Sequence, residues 1–489
     1  MINKYSRTAL ATIVLLSCGT SALSQVAVNP TREDVVELVS DQIDNATSEF
    51  ASVFVGTVES PGAATIRLRV GDYNLGRESY VTLTSVTDGD VQRLDAQSIA
   101  QSYNWSVTFN GDSVDVDLYV APGDVGVYVA IDRLRAPLTL EAEPSAVASI
   151  CGANDDRVAS NDPRVGRTTQ GCTAWLVSNG AVLTAGHCPF AAGDTVDFNL
   201  PPSLANGNPI APAAANQYPV NIASIMSENS GVGQDWLVLA LNANTTTLRT
   251  AHNVQGFFRM TRAIPGNGTV LRVTGCGLDN SPGGAGGSVC NGGTNHNGGC
   301  VNNANCPGGG VCTPVACCDP DGTGAAGCGN NCNAASQTQQ THTGTLVSST
   351  VDRIQHSMDT MPANSGSPII WEANGLTIGI HTAGGCTSTG GSNNGTRFSR
   401  AVLETAIRNF AGPNPVYVDA SDYSLPSNGG VFEPLHSLSE AVNAVLHGGT
   451  ISLVPGHYTT NNPGNIFTAG ADGKAMTIVS PAGSSFIGG

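Results

Sequence analysis

The sequence predicts an all-β protein of several domains. Three observations carry that prediction. Short apolar segments recur along the chain, many alternating with polar residues, with Gly, Asp and Asn between them. Glycine (59) and proline (26) are plentiful and charged residues make up only 12%, a balance that suits a secreted β-protein. At 489 residues the chain is too long for one core, so two to four domains are expected.

Composition also excludes classes of function. The net charge of −17 leaves no basic face for nucleic acid. After the N-terminus there is no apolar stretch of membrane length. Residues 1–24 read as a signal peptide: Lys4 and Arg7 precede the apolar core Ala9 to Leu16, and Ser21-Ala22-Leu23-Ser24 offers small residues for cleavage. Cys18 would instead serve a lipoprotein signal. Export to an extracellular setting, or alternatively to the periplasm or cell surface, makes disulfides the default for the other thirteen cysteines.

Residues 25–150 read as an N-terminal β-sandwich-like domain. After the polar stretch Asn29 to Glu49 come Ala64 to Val70, Tyr80 to Val86, Trp105 to Phe109, Val114 to Val120 and Val127 to Ile131, mostly of period two. No cysteine and no reactive cluster falls there. A pro-segment is expected, with a permanently attached accessory domain as the alternative. Residues 151–170, with Arg157, Arg164 and Arg167, read as an exposed processing region.

The chemistry lies in three later stretches. Thr184-Ala185-Gly186-His187-Cys188 follows the apolar segment Ala174 to Leu183. Asp235 heads the hydrophobic run Trp236 to Leu239. Ser365 lies in Met361-Pro362-Ala363-Asn364-Ser365-Gly366-Ser367-Pro368, where a tight turn would expose Oγ and the run Ile369-Ile370-Trp371 would anchor it. A serine hydroxyl needs a base within reach, and a histidine oriented by a carboxylate supplies one. The order His187, Asp235, Ser365 is one of those in which this triad occurs.

Gly171-Cys172-Thr173-Ala174-Trp175-Leu176 through Cys188, Asp235, and Asn364 to Pro368 resemble trypsin-like serine peptidases. Asp359-Thr360, Ile380-His381-Thr382 and Gly395-Thr396-Arg397 are most similar to the bacterial glutamyl endopeptidase branch. The likeness covers roughly residues 150–411 and bounds a protease domain at 151–411. It implies two six-stranded antiparallel β-barrels with a cleft between them. It further implies a Cys172–Cys188 disulfide and an oxyanion hole built from the N–H groups of Ala363 and Ser365. The family has glycine where Ala363 stands, and trypsin itself has an aspartate where Asn364 stands, paired with a newly released N-terminus. In the glutamyl branch a histidine and a threonine at the positions of His381 and Thr360 bind the substrate carboxylate. Asp359 falls where trypsin selects Lys and Arg. A protonated His381 would make the preference for Glu weaken as pH rises through its pKa.

Residues 279–340 interrupt the second barrel with eight cysteines, from Cys290 to Cys332, expected to staple the loop. Repeated CxxC pairs are absent, which disfavours zinc, and Asp319-Pro320-Asp321-Gly322 reads as a turn rather than a calcium loop. If those eight pair among themselves, cysteine parity predicts Cys276–Cys386 and a mature N-terminus between Val158 and Thr168 that discards Cys151. Ala401 to Phe410 has helical spacing and closes the protease domain. Residues 412–489 resemble the opening coils of a parallel β-helix and could contact a surface or a carbohydrate. His342 and His356 read as satisfied structural histidines. The expected function is a secreted serine endopeptidase acting on protein or peptide substrates after Glu, with no metal and no cofactor. The alternatives are cleavage after Lys or Arg, or a catalytically impaired binding protein on the same fold.

Overall fold

The computed structural model describes residues 31–137, 149–152, 155–204, 207–278, 335–412, 414–421, 427–459 and 474–488, with the backbone of three short strands between 288 and 314. The expected signal peptide and the cysteine pairing of the insertion lie outside the described residues.

The N-terminal region is a sandwich of two four-stranded antiparallel sheets. One sheet runs Thr31–Val39, Tyr128–Pro137, Thr65–Asn74, Phe109–Asn110. The other runs Ala51–Glu59, Ser113–Val120, Tyr80–Ser85, Val91–Leu94. Alternation decides the inner faces: Val114, Val116, Leu118 and Val120 are all fully buried, and the residues between them are not. One expectation fails here. Thr31–Val39 lies in the stretch read as merely polar, yet it is a strand. It is an edge strand, mostly exposed, and so has little need of apolar residues.

Two closed barrels follow. The first has the order Val165–Thr168, Thr173–Leu176, Val182–Thr184, Asp235–Leu241, Gln217–Asn229, Thr195–Asp197 and closes on itself. The second has the order Val270–Gly275, Pro368–Trp371, Leu376–Ala383, Asn393–Arg397, Arg353–His356, Gln340–Ser349, and the last of these pairs back with Val270–Gly275. The two-residue strand Val158–Ala159 adds to the outside of Gln340–Ser349. The insertion carries its own small sheet of Ser288–Asn291, Gly299–Cys300 and Val311–Pro314.

Both flanking regions dock on the barrels. The sandwich is hydrogen-bonded to the first barrel: the Arg67 guanidinium donates to the Gly193 carbonyl, Gln92 to Thr245 Oγ1, and Thr108 and Gln217 exchange two bonds of 2.8 Å. At the C-terminal end, Pro415–Val418, Gly449–Leu453 and Met476–Val479 pair in parallel, as do His457–Tyr458 and Phe486–Ile487. These are the expected coils of a β-helix-like segment. Tyr417 and Phe432 from this segment share a buried cluster with Trp175, Phe258 and Phe398, and with Leu403 and Ile407 of the helix Ala401–Asn409. The segment thus shares a buried core with the barrels rather than hanging from them as a tethered appendage.

Candidate active site

The turn carrying Ser365 is pinned by bonds to its carbonyls. Thr173 donates its N–H to the Ser365 carbonyl (2.9 Å) and its hydroxyl to the Ala363 carbonyl (2.9 Å). The Trp175 indole donates to the Gly366 carbonyl (3.0 Å), and the Gly366 N–H reaches the His381 carbonyl (2.8 Å). Gly366 has φ +94°, and a Cβ there would lie 2.0 Å from the Thr173 carbonyl oxygen, so only glycine fits. Ala363 has φ +78°, the left-handed conformation that the family's glycine takes without strain. The Leu278 N–H donates to the Pro362 carbonyl (2.8 Å). The two ends of a peptide group point oppositely, so this bond turns the Ala363 N–H away from Leu278. Among the described residues, neither the Ala363 nor the Ser365 N–H has an acceptor.

His187 and Asp235 come from the first barrel. His187 follows the strand Val182–Thr184, and Asp235 begins the neighbouring strand. His187 Nδ1 is 2.5 Å from Asp235 Oδ2, and the His187 N–H donates to Oδ1 (3.0 Å). The carboxylate therefore fixes the proton on Nδ1 and leaves Nε2 bare in the neutral ring. Thr396 Oγ1 donates to the Asp235 carbonyl (2.7 Å), tying it to the second barrel. The Ser365 turn lies against the strand that leads to His187: a Cβ on Gly366 would stand 2.3 Å from Thr184 Oγ1. His187 Nε2 and Ser365 Oγ are both buried and neither makes a hydrogen bond.

The predicted pocket residues adjoin this turn. Thr360 is buried and its hydroxyl has no hydrogen-bond partner. His381 is fully buried, with Nδ1 3.2 Å from His356 Nε2. The Met358 N–H donates to His356 Nδ1 (3.3 Å). This sequence of donors puts the His356 proton on Nε2 and makes His381 Nδ1 an acceptor, so the neutral His381 carries its proton on Nε2. Burial first, then His356 and His187, hold the His381 pKa well below the ordinary histidine value. Without a bound substrate His381 is therefore held neutral rather than charged.

Asp359 is already occupied. Its Oδ1 accepts the Cys151 N–H (2.6 Å), its Oδ2 accepts the Asp156 N–H (3.0 Å), and His342 Nδ1 is 3.6 Å away. Burial raises its pKa against these bonds. His342 and His356, read from the sequence as satisfied structural histidines, are both hydrogen-bonded: His356 meets His381, and His342 accepts the Asp359 N–H (2.7 Å).

The two closed six-stranded antiparallel barrels are the chymotrypsin-like architecture that the sequence resemblance implied. No family model and no curated protein matches the chain. Among solved structures, a Glu endopeptidase in complex with MPD is 15% identical, with a TM-score of 0.34 over 54% of this chain and 99% of its own. A thermostable serine protease, AL20, from an extremophilic microorganism is 14% identical, with a TM-score of 0.29 over 48% and 92%. Human heparin binding protein is 15% identical, with a TM-score of 0.28 over 50% and 91%. The reading of the site therefore rests on its own geometry.

Two expectations about processing are overturned. The expected Cys172–Cys188 disulfide is present, but Cys386 pairs with Cys151, and Cys276 is a buried free thiol pushed up to about 12 by burial. Cys151 belongs to a segment built into the second barrel. Ser149 bridges Thr360 backbone to backbone, and its hydroxyl accepts the Gly385 and Cys386 N–H groups. Of cuts after Arg157, Arg164 and Arg167, the last would also break strand Val165–Thr168, a wholly buried barrel wall. Arg157 and Arg167 are buried as well, not exposed. Residues that sequence reasoning missed include Thr173, Leu278 and Thr396, although Thr173 and Thr396 stand inside motifs singled out above.

Proposed function

We propose that this protein is a secreted serine endopeptidase that cleaves after glutamate. The observation that carries the hydrolase reading is the pair of buried, unpartnered atoms His187 Nε2 and Ser365 Oγ, beside a carboxylate that fixes the opposite nitrogen. Burying polar atoms without partners is costly, and a base and its nucleophile that tighten only on substrate account for it.

His187 Nε2 takes the Ser365 proton as Oγ attacks the scissile carbonyl. Asp235 stabilises the resulting imidazolium. The tetrahedral oxyanion accepts the N–H groups of Ala363 and Ser365, each contributing about 3 kcal/mol in comparable sites. His187 then gives the proton to the leaving amine, and a water deprotonated by the same nitrogen hydrolyses the acyl-enzyme. No metal and no cofactor enters these steps.

For specificity, the unpartnered Thr360 hydroxyl is a donor suited to a carboxylate, and the buried, neutral His381 ring, itself bonded to His356 and to the Asn394 backbone, stands with it behind the Ser365 turn. Lys or Arg specificity would need an available Asp359, whose oxygens are already bonded to the 151–156 segment. Disulfides on both sides of the cleft support export. Among the described residues, none of the sandwich's hydrogen bonds reaches His187, Asp235 or Ser365.

The test is labelling with a serine-directed phosphonate and peptide mapping, followed by a substrate panel varying only the residue before the cut. Label on Ser365, lost in Ser365→Ala, and preference for Glu that falls in Thr360→Val are expected. An unlabelled chain refutes the hydrolase, and a Lys or Arg preference abolished by Asp359→Asn refutes the specificity.

A further inference from the structure

We propose that Arg157 is an internal positioning residue for the oxyanion turn, so that the chain becomes active without releasing a new N-terminus. The inference rests on the endopeptidase reading and deepens it.

The Arg157 side chain is 1% exposed, beneath the nucleophile turn. Its Nη2 donates to the Leu278 carbonyl (2.9 Å), and Nη1 is 3.5 Å from Asn364 Oδ1. Leu278 passes the restraint on, because its own N–H holds the Pro362 carbonyl that turns the Ala363 N–H. Asn364 Oδ1 also accepts the Met361 N–H (3.0 Å). One guanidinium thus reaches the turn from 361 to 364 by two routes. Space for it exists because residue 277 is glycine: a Cβ there would lie 2.0 Å from Asn364 Oδ1 and 2.6 Å from Arg157 Nη1.

The charge is balanced locally. Asp155 receives Nε (2.9 Å) and Nη2 (2.6 Å) of Arg157. Burial pushes the Asp155 carboxyl up, but the bonds and charge of Arg157 outweigh it and hold its pKa below the ordinary value. A buried ion pair is weak as a stabiliser, and apolar side chains of the same volume often do as well. Its retention under a strained turn calls for another reason. A left-handed alanine persists only where its surroundings over-determine it, and the route from Arg157 through Leu278 is one such constraint. The uncharged Asn364 needs no ammonium partner, and the cation in contact with it belongs to the unbroken chain. Segment 149–157 is itself fixed by the Cys151–Cys386 disulfide and the Ser149–Thr360 bridge.

The experiment uses the full secreted chain and the variants Arg157→Met and Arg157→Lys. Each is measured for urea stability, for kcat and KM on a Glu substrate, and for binding of a peptide aldehyde, whose tetrahedral adduct reads the oxyanion hole. In folded Arg157→Met, kcat should fall about 100-fold, the lower end for losing one oxyanion donor. KM should stay within about threefold, since the hole acts only in the transition state, and aldehyde affinity should fall with kcat. Arg157→Lys should recover part of both. Intact-mass analysis should find active enzyme with residues 149–168 unbroken. Three results overturn the inference: an unchanged kcat in Arg157→Met, a loss that merely tracks the unfolded fraction, or activity confined to chains cut between 157 and 168. A wild-type chain that takes no phosphonate overturns the endopeptidase reading and this inference with it. An active wild type with an equally active Arg157→Met overturns this inference alone.

Discussion

Lowering the pH from 8 to 5 should destabilise this fold through its buried histidines. Burial holds His252 down to about 4, and burial with the nearby charge of His342 holds His356 down to about 3. Both rings are essentially out of solvent. In the unfolded chain each would take its proton near the ordinary value of 6.5. A folded pKa below the unfolded one means that the contribution is complete above pH 6.5 and is lost as the pH falls toward the folded value. At pH 5 each histidine is about 1.5 units below its unfolded pKa and still neutral in the fold, which at 1.36 kcal/mol per unit is about 2 kcal/mol each. The two together cost about 4 kcal/mol, a large part of a typical stability of about 5–15 kcal/mol. His381, held low by burial and by His356 and His187, adds in the same direction. Asp197 and Asp359, raised by burial, offset part of the loss, because the fold binds their protons before the unfolded chain does. His252→Gln separates one histidine from that background. It lies in the first barrel, where its Nε2 meets the Ala181 carbonyl at 3.0 Å, away from the triad. Urea melts followed by fluorescence of the buried Trp175 and Trp236, at constant ionic strength, give stability at each pH. The His252→Gln protein should lose about 2 kcal/mol less between pH 8 and 5 than the parent. Equal losses in the two proteins, or a parent whose stability is flat over that range, would refute the reasoning.

Two further outcomes test the site. Asp235→Asn should keep the fold and lower kcat by about 10⁴, because the amide favours the wrong His187 tautomer; stopped-time assays on a Glu substrate check it, and near-normal turnover would remove Asp235 from the triad. Thr173→Val keeps the shape but deletes the hydroxyl that donates to the Ala363 carbonyl and accepts the Cys276 N–H. It should cost about 1–3 kcal/mol and lower kcat more than it raises KM, so a change in KM alone would contradict its assigned place.

The three residues of the proposed triad could be singled out in the sequence because each sits in a short local pattern. His187 ends an apolar strand, Asp235 begins one, and Ser365 precedes one. The alternation of Val114 to Val120 likewise disclosed the sandwich. What stayed hidden depends on partners remote in sequence. Whether Ala363 could adopt positive φ turned on Thr173 and Leu278, which hold the two carbonyls on either side of its N–H and Cα. The Cys151–Cys386 disulfide spans 235 residues, and parity counting cannot choose among partners at that range. Arginines in a polar stretch read as exposed, but Asp155 accepts Arg157, and the carbonyls of Gln337 and Ile210 accept Arg167. Pairing, which composition does not record, is what lets a charge go inside.

The same dependence on distant partners links the C-terminal segment to a site that none of its described residues enters. His187 and Asp235 belong to one barrel and Ser365 to the other, so the geometry of the proposed triad is the geometry of the barrel interface. Three contacts hold that interface near the nucleophile. Thr396 of the second barrel bonds the Asp235 backbone, Thr173 of the first bonds the Ser365 and Ala363 carbonyls, and the Trp175 indole bonds the Gly366 carbonyl. Trp175 is fully buried, edge-on to Phe258 and tilted against Phe398. Phe398 in turn stacks on Phe432 of the C-terminal segment, with centroids 5.5 Å apart. The ion pairs Arg259–Asp419 and Arg262–Glu433 clamp that segment to the loop after Phe258. Close-packed interiors transmit displacement rather than absorb it. The C-terminal segment therefore stands two aromatic side chains, Trp175 and Phe398, behind the Gly366 carbonyl next to Ser365.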